Sequence, residues 1–169
     1  HRAGTDQSDD DLIYADRSDP RYRFDTYLSA DQDFLILRAT NAGGGQAIYA
    51  RPVRKPDAAF FAIADDLEHQ FEWAGTDAKG IYLITNLDAP NRRLVLVDLE
   101  LPNPSYWETI LPAGQSPLRS VHWVDGKILA AYQTNQGSAM SLHGANGSLL
   151  KRPKLPDHGQ ILGISSHDS

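Results

Sequence analysis

Short apolar runs alternate with polar connections along the chain. The pattern is most distinct from Gly80 to Leu99, where Ile81-Tyr-Leu-Ile84 and Leu94-Val-Leu-Val97 flank a turn built on Asp88, Pro90 and Asn91. Period-two runs rich in β-branched and aromatic residues predict strands, and an Asp/Pro/Asn cluster folds one strand back on the other.

The same plan occurs three times. The first unit holds Phe24–Leu28, Phe34–Ala39, Ala47–Ala50 and Ala59–Ile63. The second holds Gln70–Trp73, Ile81–Ile84, Leu94–Val97 and Trp107–Leu111, and the third Ser120–Val124, Ile128–Tyr132, Met140–His143 and Leu149–Lys151. The second strand of each unit runs out into Thr-Asn, at Thr40-Asn41, Thr85-Asn86 and Thr134-Asn135, so the asparagines are 45 and 49 residues apart. Four short strands per roughly 40–50 residues is the signature of β-propeller blades. A plain antiparallel sandwich also has many short strands, but it does not require a fixed period. Asp65–His69 is long enough for one helical turn at most, and no helix is predicted. The expected fold is therefore all-β, with about three four-stranded antiparallel blades.

The expected boundaries are a blade edge at 1–17, blades at 22–66, 69–115 and 117–157, and the start of a further blade at 160–169. Leu12-Ile-Tyr14 reads as the outer strand of a preceding blade and Ile161-Leu-Gly-Ile164 as the inner strand of a following one. Closed propellers have roughly four to eight blades. The expectation is an open arc, a fragment whose end faces carry no polar caps and favour self-association.

Composition narrows the chemistry. The chain has 169 residues, a formal net charge of −6 and no cysteine. A general nucleic-acid binder needs a basic stripe, which this chain lacks. Disulfides, thiolate nucleophiles and zinc–thiolate sites are excluded. Apolar runs are too short for a membrane span and the N-terminus is too polar for a signal peptide; the compartment stays open.

Catalytic patterns are weak. His167-Asp168-Ser169 holds the residue types of a hydrolase triad, but consecutive tail residues do not converge as a triad must. Gly-x-Ser-x-Gly is absent; Gly114–Leu118 and Gly163–His167 both lack the final glycine. Ser148-Leu-Leu-Lys151 matches Ser-x-x-Lys on a strand, where the helical spacing of that motif has no meaning. Gly43-Gly-Gly45 lies between strands and reads as a hairpin loop before a phosphate cradle. The six histidines (His1, His69, His122, His143, His158 and His167) show no metal-site spacing. Asp9-Asp-Asp11 lacks the glycine-turned loop of a calcium site. Asn146-Gly-Ser148 fits a glycosylation acceptor and, first, a hairpin turn. No cofactor is expected. Trp73, Trp107, Trp123, Tyr82 and Phe34 read mostly as wedges between blades. Arg92-Arg93 reads as blade-edge, bridging a neighbour or facing solvent.

Three stretches carry a family resemblance. His1–Tyr14 resembles the passage from one blade to the next in prolyl oligopeptidases. Thr85-Asn-Leu-Asp-Ala-Pro-Asn-Arg-Arg-Leu94 is similar to that family's Thr-Asn-x-x-Ala-Pro-Asn-x-x-Leu hairpin, and Asn103–Pro112 to its Asn-Pro…Trp…Ile-Pro segment. The resemblance implies a position within the seven-bladed propeller of a serine peptidase. The partners it implies are an α/β-hydrolase domain that carries the triad and short proline-containing peptides. The propeller's implied role is steric, admitting short peptides and rejecting folded proteins. Matching strands around Leu28 and Leu37 places Arg23 and Gly43 where the family has substrate-lining apolar or sulfur-bearing residues. Arg23 would there select an acidic group, or else stand as a solvated surface arginine. The alternative is a stand-alone propeller module that binds proteins on its rim.

Overall fold

The computed structural model describes residues 6, 21–55 and 57–155. Leu12–Tyr14, Ile161–Ile164, Asp9–Asp11, His1, His158 and the 167–169 tail lie outside the described residues. The first sheet contains β1 (Arg23–Leu28), β2 (Phe34–Thr40), β3 (Gln46–Pro52) and β4 (Phe61–Ala64). The second contains β5 (Phe71–Asp77), β6 (Gly80–Thr85), β7 (Arg93–Val97) and β8 (Glu108–Leu111). The third contains β9 (Leu118–Val124), β10 (Lys127–Thr134), β11 (Gly137–His143) and β12 (Leu149–Lys151). Each sheet is an antiparallel meander in sequence order. Among the described residues no helix is long and apolar enough to cross a membrane.

Some strand limits differ from the sequence reading, for identifiable reasons. β5 runs on to Asp77 because an extra residue at Ala74 bulges out, after which Gly75–Asp77 resume pairing with Tyr82–Gly80. The bulge breaks the alternation that marks a strand in sequence. Trp107 precedes β8 instead of starting it, because a 3-10 turn at Pro104–Tyr106 ends there and the indole Nε1 donates to Pro102 O at 2.8 Å. Asp65–His69 forms bends, not a helical turn. Its Asp66 carboxylate accepts the N–H groups of Glu68 and His69 at 2.8 and 3.0 Å.

The middle sheet is buried on both faces. Ile81, Leu83, Val95 and Val97 pack with Ile36, Ile48, Ala50 and Ile63 of the first sheet. Tyr82, Ile84, Leu94 and Leu96 pack with Leu118, Val121, Ile128 and Ala130 of the third. Successive strand residues point to opposite faces. A sheet covered on both sides therefore needs uninterrupted apolar runs, which is what β6 and β7 have.

Aromatic rings from the first strand of a sheet lock it to the sheet before. Trp73 of β5 stacks on Tyr27 of β1, with centroids 4.6 Å apart and planes 3° from parallel. Trp123 of β9 meets Tyr82 edge-on at 4.7 Å, and its Nε1 donates to Ala74 O at 2.8 Å. The bulge thus supplies the carbonyl that seats the next sheet's tryptophan. Gly75 holds φ +135°, and a Cβ there would lie 2.7 Å from the Trp123 ring nitrogen.

Trp123→Ala is expected to destabilise the protein by about 3 kcal/mol, through lost burial and an unsatisfied Ala74 carbonyl. Gly75→Ala acts on the same contact through strain and clash. Urea unfolding of both single variants and the double variant checks this. Fully additive losses would show that the two residues do not share one contact.

Candidate functional site

The polar connections gather at one end of the sheets, where β2 turns into β3 and β6 into β7. The first two sheets are sewn together there by amide groups. Asn41 Oδ1 accepts Gly45 N–H at 2.9 Å, while its Nδ2 donates to Leu67 O at 3.0 Å in the link to the second sheet. Asn86, the matching residue of the second sheet, accepts Gln70 N–H from that same link at 2.7 Å. Gln46 N–H donates to His69 O at 2.8 Å, and Gln46 Oε1 accepts Phe71 N–H at 2.6 Å. The link runs so close to the hairpin that a Cβ on Gly45 would lie 1.7 Å from Leu67 O. The Gly43–Gly45 loop is thus a hairpin turn under a crossing chain.

The Thr-Asn repeat therefore marks seam residues in the first two units. In the third unit Asn135 is exposed in a turn, and Thr134 Oγ1 accepts from Gln136 N–H and donates to Gly137 O. The next seam, between the second and third sheets, is made by Asn91. Its Nδ2 donates to Gly114 O and Gln115 O at 2.8 and 3.1 Å, and its carbonyl accepts Leu118 N–H at 2.9 Å.

Beside the first seam lies a charged cleft of about 350 Å³, lined by Arg38, Gln46, Gln70, Glu72 and Arg92. Arg38 of β2 donates from Nε and Nη2 to Asp25 Oδ2 of β1 at 3.2 and 2.6 Å. Its guanidinium carbon lies 5.6 Å from the centre of the Tyr27 ring. In the second sheet Arg92 Nη2 pairs with Glu72 Oε2, on β5. The two arginine side chains are only 16% and 14% exposed, whereas their carboxylate partners are about half exposed. Burial raises the Tyr27 phenol above its ordinary pKa; Arg38 opposes this, and Asp25 and Glu72 add to it.

Arg92 reaches the cleft from a strained position. Two successive turns, Ala89 N–H to Asn86 O and Arg92 N–H to Ala89 O, leave Arg92 at φ +65°. The left-handed conformation costs a side-chain-bearing residue about 1–2 kcal/mol. The expectation that Arg92 bridges a neighbouring blade or faces solvent is corrected: its carboxylate belongs to its own sheet, on β5. Arg93 points elsewhere and donates to Thr109 Oγ1 at 3.4 Å.

The structure puts Arg23 and Gly43 at the same end of the first sheet. Arg23 pairs with Thr40 in register, and Gly43 lies exposed in the turn that follows β2. Arg23, Asp25 and Tyr27 share one face of β1, the face that stacks on the second sheet. Neither Arg23 nor Gly43 lines the charged cleft. Arg38, Gln46, Gln70 and Glu72 were not visible as a group in the sequence. The only local signal was a charge inside an apolar strand, at Arg38 in Phe34–Thr40 and at Glu72 in Phe71–Asp77.

A second, more apolar cleft of about 440 Å³ lies on the outer side, between β4 and the loop before β8, where Leu101 and Tyr106 are exposed. Elsewhere, buried Ser141 and His143 are joined by a 2.6 Å hydrogen bond at Nε2, with Nδ1 against Gly147 O at 2.9 Å. Tyr82 donates to Asp77 at 2.8 Å; burial and that carboxylate raise its phenol well above the ordinary value.

Three consecutive four-stranded meanders, stacked face to face and joined by short links, are the blades of a β-propeller. The chain belongs to the prolyl oligopeptidase N-terminal β-propeller domain family, whose sequence profile matches residues 1–169. It is 31% identical over 165 residues to prolyl endopeptidase of Elizabethkingia meningoseptica, covering 97% of this chain and 23% of that protein. It is 24% identical over 158 residues to the dual function macrocyclase-peptidase POPB of Amanita bisporigera, covering 90% of this chain and 22% of that protein. Its fold matches a solved structure from a study of two prolyl endopeptidases, with TM-score 0.81 and 23% identity over 92% of this chain and 23% of that one. The chain thus spans less than a quarter of the length of these relatives.

Asn86→Ala is expected to cost about 0.5–1 kcal/mol, the net worth of its solvent-accessible hydrogen bond from the Gln70 N–H in the seam. Amide hydrogen exchange should speed up at Gln70 and Phe71 before it does in β6. Unchanged protection at both amides would show that the seam does not depend on this side chain.

Proposed function

We propose that the chain is the propeller portion of a serine peptidase that cleaves short peptides after proline. The reading is carried by the family match along the whole chain, together with relatives named prolyl endopeptidase. In this reading an α/β-hydrolase domain outside the chain supplies the triad, and the chain supplies no catalytic residue. The blades act by steric exclusion: packed sheets with amide-sewn seams yield little, so a folded protein is kept from the reaction centre while a short peptide is admitted. Arg23 and Gly43 face the substrate. Arg23 presents a guanidinium to an acidic group, and Gly43 leaves space beside it.

The full-length protein is expected to hydrolyse a short prolyl-amide peptide, and to leave the same sequence uncut inside a stably folded domain. The 169-residue chain alone should show no turnover. Turnover that tracks the purified chain, or equal cleavage of the folded substrate, would refute the gating role. Arg23→Ala should lower kcat/KM for peptides with an acidic residue by about fivefold, and leave neutral peptides unchanged.

The isolated chain should also self-associate through the outer faces of the first and third sheets, where Leu149 and Leu150 of β12 stand exposed. Sedimentation velocity tests this. A clean monomer across a tenfold dilution would contradict it.

A further inference from the structure

The charged cleft between the first two sheets has more hydrogen-bonding capacity than its own ion pairs use. A guanidinium carries five N–H donors in a planar fork. Arg38 commits Nε and Nη2 to Asp25, and Arg92 commits Nη2 to Glu72. Donors remain on both, and both line the same cleft, one arginine from each sheet. Largely buried cations are costly to desolvate and are best stabilised by further charge-assisted bonds. The acidic partners hold the two forks in place from their more exposed positions. Gln46 and Gln70 add uncharged amide groups to the lining. The strained backbone of Arg92 is what directs its side chain into this space, and strain of this kind gathers at ligand-holding sites.

We propose that this cleft binds a carboxylate carried by a peptide. Arg38 of the first sheet and Arg92 of the second both bind it, and Asp25 and Glu72 orient the two guanidinium groups. The cleft's volume of about 350 Å³ accommodates an acidic side chain or a peptide C-terminus together with its water. Arg23 stands on the same face of β1 as Asp25, two residues nearer the end of the sheet, and adds positive charge at the approach. The carboxylate is thus held across the seam, and its binding ties the two sheets together. This inference rests on the reading that peptides reach this end of the blades, but binding is measurable without any turnover.

The test uses the full-length protein and three peptide probes: acetyl-Glu-Ala-amide, acetyl-Gln-Ala-amide and acetyl-Gln-Ala with a free C-terminus. Calorimetric titration is expected to show binding of the first, the third or both, and none of the neutral second. The first and third arms distinguish a side-chain carboxylate from an α-carboxylate. Arg38→Met and Arg92→Met should each weaken binding at least tenfold. Arg92→Lys keeps the charge but loses the fork, and should weaken it several-fold with native near-ultraviolet circular dichroism, so a misfolded Met variant does not decide the matter. Equal binding of the neutral peptide, no binding of either acid, or unchanged affinity in folded variants at both arginines would overturn the proposal. Hydrolysis of a neutral prolyl-amide peptide, run in parallel, reports on the peptidase reading alone. Its loss with carboxylate binding intact would overturn that reading and leave the cleft assignment standing.

Discussion

Everything in this chain depends on the middle sheet being buried on both faces. β6 and β7 have no solvent side: alternate residues enter two different cores, one shared with each neighbouring sheet. A meander of four short strands cannot bury such surfaces alone, so each sheet takes its stability from the next. The stacked Tyr27–Trp73 pair and the Trp123 indole seated on the Ala74 carbonyl give that packing a fixed register. Hydrophobic burial holds the sheets together, while these directed contacts set how they sit.

The polar end of the blades inherits its geometry from this packing. Tyr27 and Trp73 fix the depth at which the first two sheets meet, and the charged residues at that end line one cleft. The seam through Asn41, Gln46 and Asn86 then satisfies the backbone groups of the link, which would otherwise be lost beside an apolar core. Ion pairs play a secondary part in stability. Asp25 and Glu72 are about half exposed, and pairs in contact with water contribute little. Their value lies in aiming two guanidinium groups.

Two-sided burial makes the stack of sheets rigid, because neither face of β6 or β7 can repack without disturbing a neighbouring sheet. The buried Ser141–His143 pair ties β11 to the Gly147 turn from inside the third sheet.

The blades were legible in the sequence because they follow from local rules: period-two alternation, turn residues and a repeat near 45 residues, marked by Thr-Asn. That the apolar runs of β6 and β7 are buried on both faces emerged only with the packing. The resemblance, carried by the hairpin from Thr85 to Leu94, placed the chain in its family. The bulge at Ala74 was hidden, since one inserted residue changes pairing without changing composition. The cleft was hidden for a stronger reason. Arg38 belongs to the first sheet and the Glu72–Arg92 pair to the second, and only the stacking of one sheet on the other brings them to the same cleft. Read singly, each was a charge at a strand or a turn. Alternation along the chain determined which residues face a core. Only the packing of sheet on sheet decided which charges share one cleft, because that packing is set by side chains remote in sequence.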